Sequence, residues 1–167
     1  MLTAHELIGF MSPALALEIL EGVHTTDKTV YSATLNAVAV ARKVRPIFLQ
    51  RKARADRHQE MLATLARPHL EMAALGVLQS WLIKIQTAML CDFLDALGIA
   101  HDEHGTVENL PETMADEPLR AAVEGLLAKY PAEKAAVYLR AFNDLNQANW
   151  PNLGEMLDKD ARLQLGA

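Results

Sequence analysis

An all-α fold is predicted for this chain: a bundle of about seven to nine helices around one long central helix, with a C-terminal αα-hairpin. Three observations predict it. Apolar residues recur at steps of three and four along most of the 167 residues, and strand-type alternation is almost absent. Helix punctuation is dense, with Ser, Thr or Asp before apolar runs, Pro at first helical positions and Gly just past ends. Residues 68–98 then form the longest periodic run. It opens at Pro68, closes at Gly98, and carries Leu70, Ala74, Val77, Leu78, Trp81, Leu82, Ile85, Met89, Phe93 and Leu97 on one stripe. Leu75, Leu90 and Leu94 widen that stripe, so this helix belongs among other helices.

The elements follow in order. Thr3 and Glu6 make a capping box for a short helix to about Phe10. Ser12-Pro13 restarts the chain, and Leu15, Leu17, Ile19 and Leu20 give a helix ending at Gly22. Asp27 caps a helix of about 28–44 carrying Val30, Leu35, Val38 and Val44. The residue before a proline is biased out of helical geometry, so a break falls at Arg45. Ile47-Phe48-Leu49 reads as a short apolar turn, and 50–60 as an exposed stretch. Asp56 caps a helix carrying Met61, Leu62 and Leu65 up to Arg67. The long run follows. Thr87 is a candidate cap for a restart, but the apolar phase carries through 86–88, which favours a single rod. From Ile99 to Glu117 the chain is irregular, with 99–100 and 106–108 as candidates for a tiny hairpin. Asp116 caps a helix with Leu119, Ala122, Val123, Leu126 and Leu127 inward. Tyr130-Pro131 joins it to a helix with Ala135, Tyr138, Phe142 and Leu145 inward, making the αα-hairpin of 117–146. Trp150-Pro151 starts a last short helix, and Asp160 caps a final turn before Leu163 and Leu165.

The length reads as one domain, 1–167, with sub-structure at 1–98, 99–116 and 117–165. A domain of this size buries roughly 70% of its unfolded surface, enough to fold without disulfide or metal. The single cysteine, Cys91, sits in the apolar run as a small hydrophobe. The N-terminal residues lack a basic flank and an apolar core, so a secretory signal is not expected. The longest uncharged stretches, Thr29–Ala41 and Met72–Ile83, are short of the ~20 residues a spanning helix needs. The expectation is a cytoplasmic protein without a membrane partner. Net charge is −5, split unevenly: +3 over residues 1–84 and −8 over 85–167. The basic excess lies in Arg42, Lys43, Arg45, Arg51, Lys52, Arg54 and Arg57. Such polarity suits internal complementarity, self-association or a binding face.

No motif for nucleophilic catalysis, phosphate cradling or dinucleotide binding is present. Glu21 and His24 make one Glu-x-x-His pair, but a ferritin-like di-metal core needs such a pair on each of two helices and the sequence holds no second one. The reading leans away from an enzyme, and no cofactor is expected. His101, Asp102 and His104 are the best metal candidates, though a loop lacks the fixed geometry of helical ligands. Asp92 and Asp95 share a helix face that reads as wet. The basic residues 42–57 are the interaction candidates. They lack interleaved aromatics after Phe48, and the acidic second half would repel phosphate, so nucleic acid is disfavoured. Trp81, Tyr138, Phe142 and Trp150 are candidates for lining a pocket between helices, against the plainer reading as core. The leading functional expectation is a non-catalytic, self-associating or protein-binding module. A nucleic-acid-associated regulator using 42–57, and a small metal- or ligand-binding bundle at 101–104, are the alternatives.

Overall fold

The computed structural model describes residues 1–145 and 148–166. Among them the fold is all-helical, with ten α-helices and no strand. They are α1 (Ala4–Phe10), α2 (Pro13–Thr26), α3 (Lys28–Ala41), α4 (Pro46–Gln50), α5 (Arg54–Leu65), α6 (Glu71–Ser80), α7 (Thr87–Ala96), α8 (Asp116–Lys129), α9 (Ala132–Arg140) and α10 (Pro151–Lys159). The chain divides into two compact units, Leu2–Trp81 and Leu82–Ala167, the second joined by Met1.

In the first unit α6 lies at the centre, against α1, α2, α3 and α5. Its buried Ala74, Val77 and Leu78 sit at helical spacing, and the small Ala and Gly positions let neighbours approach. The Glu71 carboxylate then closes the start of α1. Its two oxygens accept from the Ala4 and His5 amides at 2.9 Å each, satisfying donors a helix start leaves open. Glu6 adds the expected capping box, accepting from the Thr3 amide at 2.9 Å. In the second unit α9 is the core element. Every residue from Ala135 to Asn143 is buried, as expected of a helix covered on all sides. The 99–115 stretch follows α7 without regular structure and is pinned to the α10 end of the unit. Trp150 Nε1 donates to the Pro111 carbonyl at 2.9 Å, and the Asn152 side chain donates to that of Met114 at 2.7 Å.

Four sequence expectations are corrected. The rod of 68–98 does not form. Its helix widens to a π-turn at Trp81–Ile85 and ends at Gln86, where φ is −98° and ψ 36°. Thr87 does not cap the restart. Its hydroxyl donates back to the Ile83 carbonyl at 2.7 Å, which satisfies the finished helix rather than the next one. That break, together with a helix at Pro46–Gln50 where a turn was expected, takes the count above seven to nine. No hairpin joins 99–100 to 106–108. Asp102 instead accepts at Oδ1 from the His104 and Thr106 amides, at 2.9 and 2.8 Å, and with backbone bonds from its own amide to the Thr106 carbonyl and from the Gly105 amide to its carbonyl, both 3.1 Å, folds the segment into a tight turn. Asp56 and Asp116 do not cap. They fall in the first turns of α5 and α8, where their charge still complements the helix dipole. The last residue of the expected αα-hairpin, Asn146, lies outside the described residues.

Candidate functional site

The most site-like surface of the first unit is the corner from the end of α3 to the start of α5. Helix α3 closes with the Val44 amide on the Ala39 carbonyl at 3.0 Å and the Lys43 amide on that of Val40 at 3.1 Å. This closure needs a left-handed residue, and Lys43 supplies it at φ 57°. Glycine is the usual choice there, so Lys43 holds a conformation costing about 1 kcal/mol. Arg45 is extended before Pro46, which occupies the first position of α4. Only Leu49 of α4 is buried. Ile47 and Phe48 face outward with Val40 and Val44, and Val40 is 78% exposed and Phe48 56%.

The seven basic candidates separate into two groups on this corner. Arg42 and Lys52 both pair with Glu60, the former at 3.6 Å, and Arg54 pairs with Glu21. Arg57 turns inward to Tyr31. Lys43, Arg45 and Arg51 are exposed and meet no carboxylate among the described residues. Exposed apolar side chains and unpaired cations therefore coincide within residues 40–51.

Behind the corner lies a polar cluster that sequence reasoning missed. Arg57 Nε donates to the Tyr31 hydroxyl oxygen at 2.9 Å, and that oxygen lies 2.7 Å from His58 Nε2. Guanidinium nitrogens only donate, so Tyr31 accepts from Arg57 and gives its own proton to His58. His58 Nδ1–H then donates to Glu21 Oε1 at 3.1 Å. Arg57 Nη1 also reaches the Gln50 carbonyl at 3.3 Å, tying the end of α4 to the cluster. His58 is wholly buried, and that desolvation holds its imidazole below the ordinary histidine range despite Glu21. His24 lies against Tyr31 with ring centroids 4.3 Å apart and the rings tilted by 52°, and its buried Nδ1 has no hydrogen-bond partner among the described residues. Burial first, then Arg54 and Arg57, hold His24 low as well. Burial pushes the Tyr31 phenol up. His58 is bonded at both ring nitrogens, so the chain from Arg57 to Glu21 orders the corner rather than presenting His58 as a free base. The cluster's members come from α2, α3 and α5, and the Glu21-x-x-His24 spacing is the part of it that the sequence carries locally.

In the second unit the metal candidates do not converge. His101 spans Asp95 Oδ1 and the Asp102 carbonyl, each at 2.6 Å, and both contacts hold it above its ordinary range. The Asp102 carboxylate is committed to backbone amides, and the exposed His104 approaches only Glu103, at 3.4 Å. Among the described residues no group of three or more His, Cys, Asp or Glu is placed to hold a metal ion. Asp92 and Asp95 are engaged at the surface, by Lys129 and Tyr130 and by His101. Trp81, Tyr138, Phe142 and Trp150 are all buried. Phe142 packs between Phe93 at 5.1 Å and Trp150 at 5.5 Å, the arrangement of packed core.

Fold and site together define a two-unit, all-helical chain with one exposed basic and apolar corner. No family model, curated protein or solved structure matches it. Among the described residues no single helix is long and apolar enough to cross a membrane.

Proposed function

We propose that this chain is a non-catalytic protein-interaction module that docks through the corner of residues 40–51. The observation that carries the reading is the coincidence of exposed Val40, Val44, Ile47 and Phe48 with the unpaired Lys43, Arg45 and Arg51. Other exposed apolar residues, such as Phe10, Leu17 and Met72, are more widely spaced along the sequence than these four. An apolar centre with a basic rim is the anatomy of a protein interface. Lys43 supports the same reading, because strain kept at a surface turn is characteristic of functional positions. The nucleic-acid alternative is weakened by Glu60 and Glu21, which neutralise three of the seven cations.

A photo-reactive benzoylphenylalanine placed at Phe48, with exposed Ala128 as control, tests the reading in extracts of the host cell. Light-dependent protein adducts are expected at position 48 alone, competed by excess wild-type chain and not by a Phe48→Asp variant. Equal labelling at both positions, or none at Phe48, refutes it.

A further inference from the structure

We propose that the occupant of this corner is a second copy of the chain, which offers its acidic segment 102–117. The inference rests on the docking role of residues 40–51 and adds the identity of the partner. Its first support is charge. Between Lys84 and Arg120 the sequence contains no Lys or Arg, while Asp102, Glu103, Glu108, Glu112, Asp116 and Glu117 fall within it. All six are exposed, and Glu108, Glu112 and Glu117 meet no cation among the described residues. Three carboxylates that meet no cation among the described residues thus answer three cations, Lys43, Arg45 and Arg51, that meet no carboxylate.

Shape is the second support. The acidic segment borders a groove of about 840 Å³ whose apolar lining includes Leu97, Ile99, Val107, Pro111 and Met114, with Glu108 also lining it. The corner is the complementary form, a five-residue helix presenting Ile47 and Phe48 outward between Arg45 and Arg51. An apolar tip seated in an apolar groove, with cations meeting carboxylates around it, buries both kinds of surface at once.

The third support is that both partners are already ordered. Trp150 and Asn152 pin the acidic segment at Pro111 and Met114, and Asp102 closes its turn. Gly105, at φ 75°, lies flat on Leu90, where any Cβ would stand 2.6 Å from a Leu90 methyl carbon. The corner is held by Leu49 and by the Arg57–Tyr31–His58 chain. Little ordering entropy is lost when two such surfaces meet. Pairing of corner with corner is disfavoured, because it sets cations against cations. Exchange of corner for acidic segment closes as a two-fold dimer, in which each chain offers both surfaces to its partner, or extends head-to-tail as a chain.

A charge-swap experiment on the intact chain, read by analytical ultracentrifugation, tests this. At ~50 mM salt the wild-type mass should rise above the 18.4 kDa protomer as concentration increases towards ~300 µM, and fall back at ~500 mM salt. Arg45→Glu/Arg51→Glu sets acid against acid, and Glu108→Lys/Glu112→Lys sets base against base. All four residues are exposed, so helicity should be unchanged. Each variant alone should associate at least ~10-fold more weakly than wild type. An equimolar mixture of the two variants restores opposite charges across the contact and should associate again. A wild type that stays protomeric throughout overturns the proposal, as does association unaffected by either reversal or a mixture that fails to recover. If the wild type stays protomeric while Phe48 still labels a different protein, the second copy is refuted and the docking role stands. Binding of phosphatidylserine vesicles through Phe48 by a protomeric chain also overturns it.

Discussion

Tyr31→Phe removes one oxygen from the centre of the cluster behind the corner, and its cost follows from the geometry. That oxygen supplies the only hydrogen bond of His58 Nε2 among the described residues, at 2.7 Å, and the His58 side chain is wholly buried. Without it an acceptor nitrogen is left where water does not reach, which costs about 1–3 kcal/mol. Arg57 loses the same oxygen but is half-exposed, so solvent replaces much of that bond. We expect about 2 kcal/mol of destabilisation, or a Tm lower by ~4–8 °C for a chain of this length. Thermal and urea unfolding followed by circular dichroism measure it. The mechanism also predicts non-additivity. In Tyr31→Phe/His58→Leu both polar partners are gone, so the double variant should be at least ~1 kcal/mol more stable than the sum of the single losses. A Tyr31→Phe loss under ~0.5 kcal/mol, or strict additivity, would refute the claim that the hydroxyl and imidazole satisfy each other.

Acid should weaken the first unit. His24 and His58 are both held below their ordinary value of 6.5, so the unfolded chain takes up protons first as pH falls. Stability from the cluster is complete above that value and is lost as pH falls from it through the lower folded values, while His101, held high, acts in the opposite sense. Urea midpoints at pH ~7.5 and ~5.5 should differ accordingly, and His24→Phe, which removes an unpartnered buried nitrogen, should shrink the difference and raise stability by ~0.5–1 kcal/mol. Lys43→Gly relieves the left-handed lysine and should stabilise by about 0.5–1 kcal/mol in urea titrations while weakening association. Gly98→Ala and Gly105→Ala separate two costs. Both residues have positive φ, but Gly98 has open space beside it and should lose only ~1 kcal/mol, whereas Gly105→Ala also collides with Leu90 and should lose more.

The helical class was legible because most elements carry local punctuation. Ser12, Asp27 and Pro151 stand at the helix starts they announce, and Gly98 ends α7 with the left-handed turn a glycine permits. The break at Gln86 was not legible, because the apolar phase continues across it and no residue at 86–88 punctuates the run as Pro or Gly would. The basic run 42–57 was visible as charge, but its division into paired and unpaired cations depends on Glu21 and Glu60, which the fold brings in from α2 and from a later turn of α5. The Glu21–His58–Tyr31–Arg57 chain left no trace in spacing, since it is assembled across three helices. For the acidic segment, the lack of any Lys or Arg between Lys84 and Arg120 was readable, but its pinning by Trp150 and Asn152 was not.

Hydrogen–deuterium exchange at low and high protein concentration tests the pairing of the corner with the acidic segment of a second copy. Raising the concentration is expected to slow exchange in peptides covering 40–51 and 102–117 and to leave the remaining helices unchanged, with the effect abolished by Arg45→Glu/Arg51→Glu. Exchange independent of concentration, or protection that appears on other faces while 40–51 stays open, would contradict it.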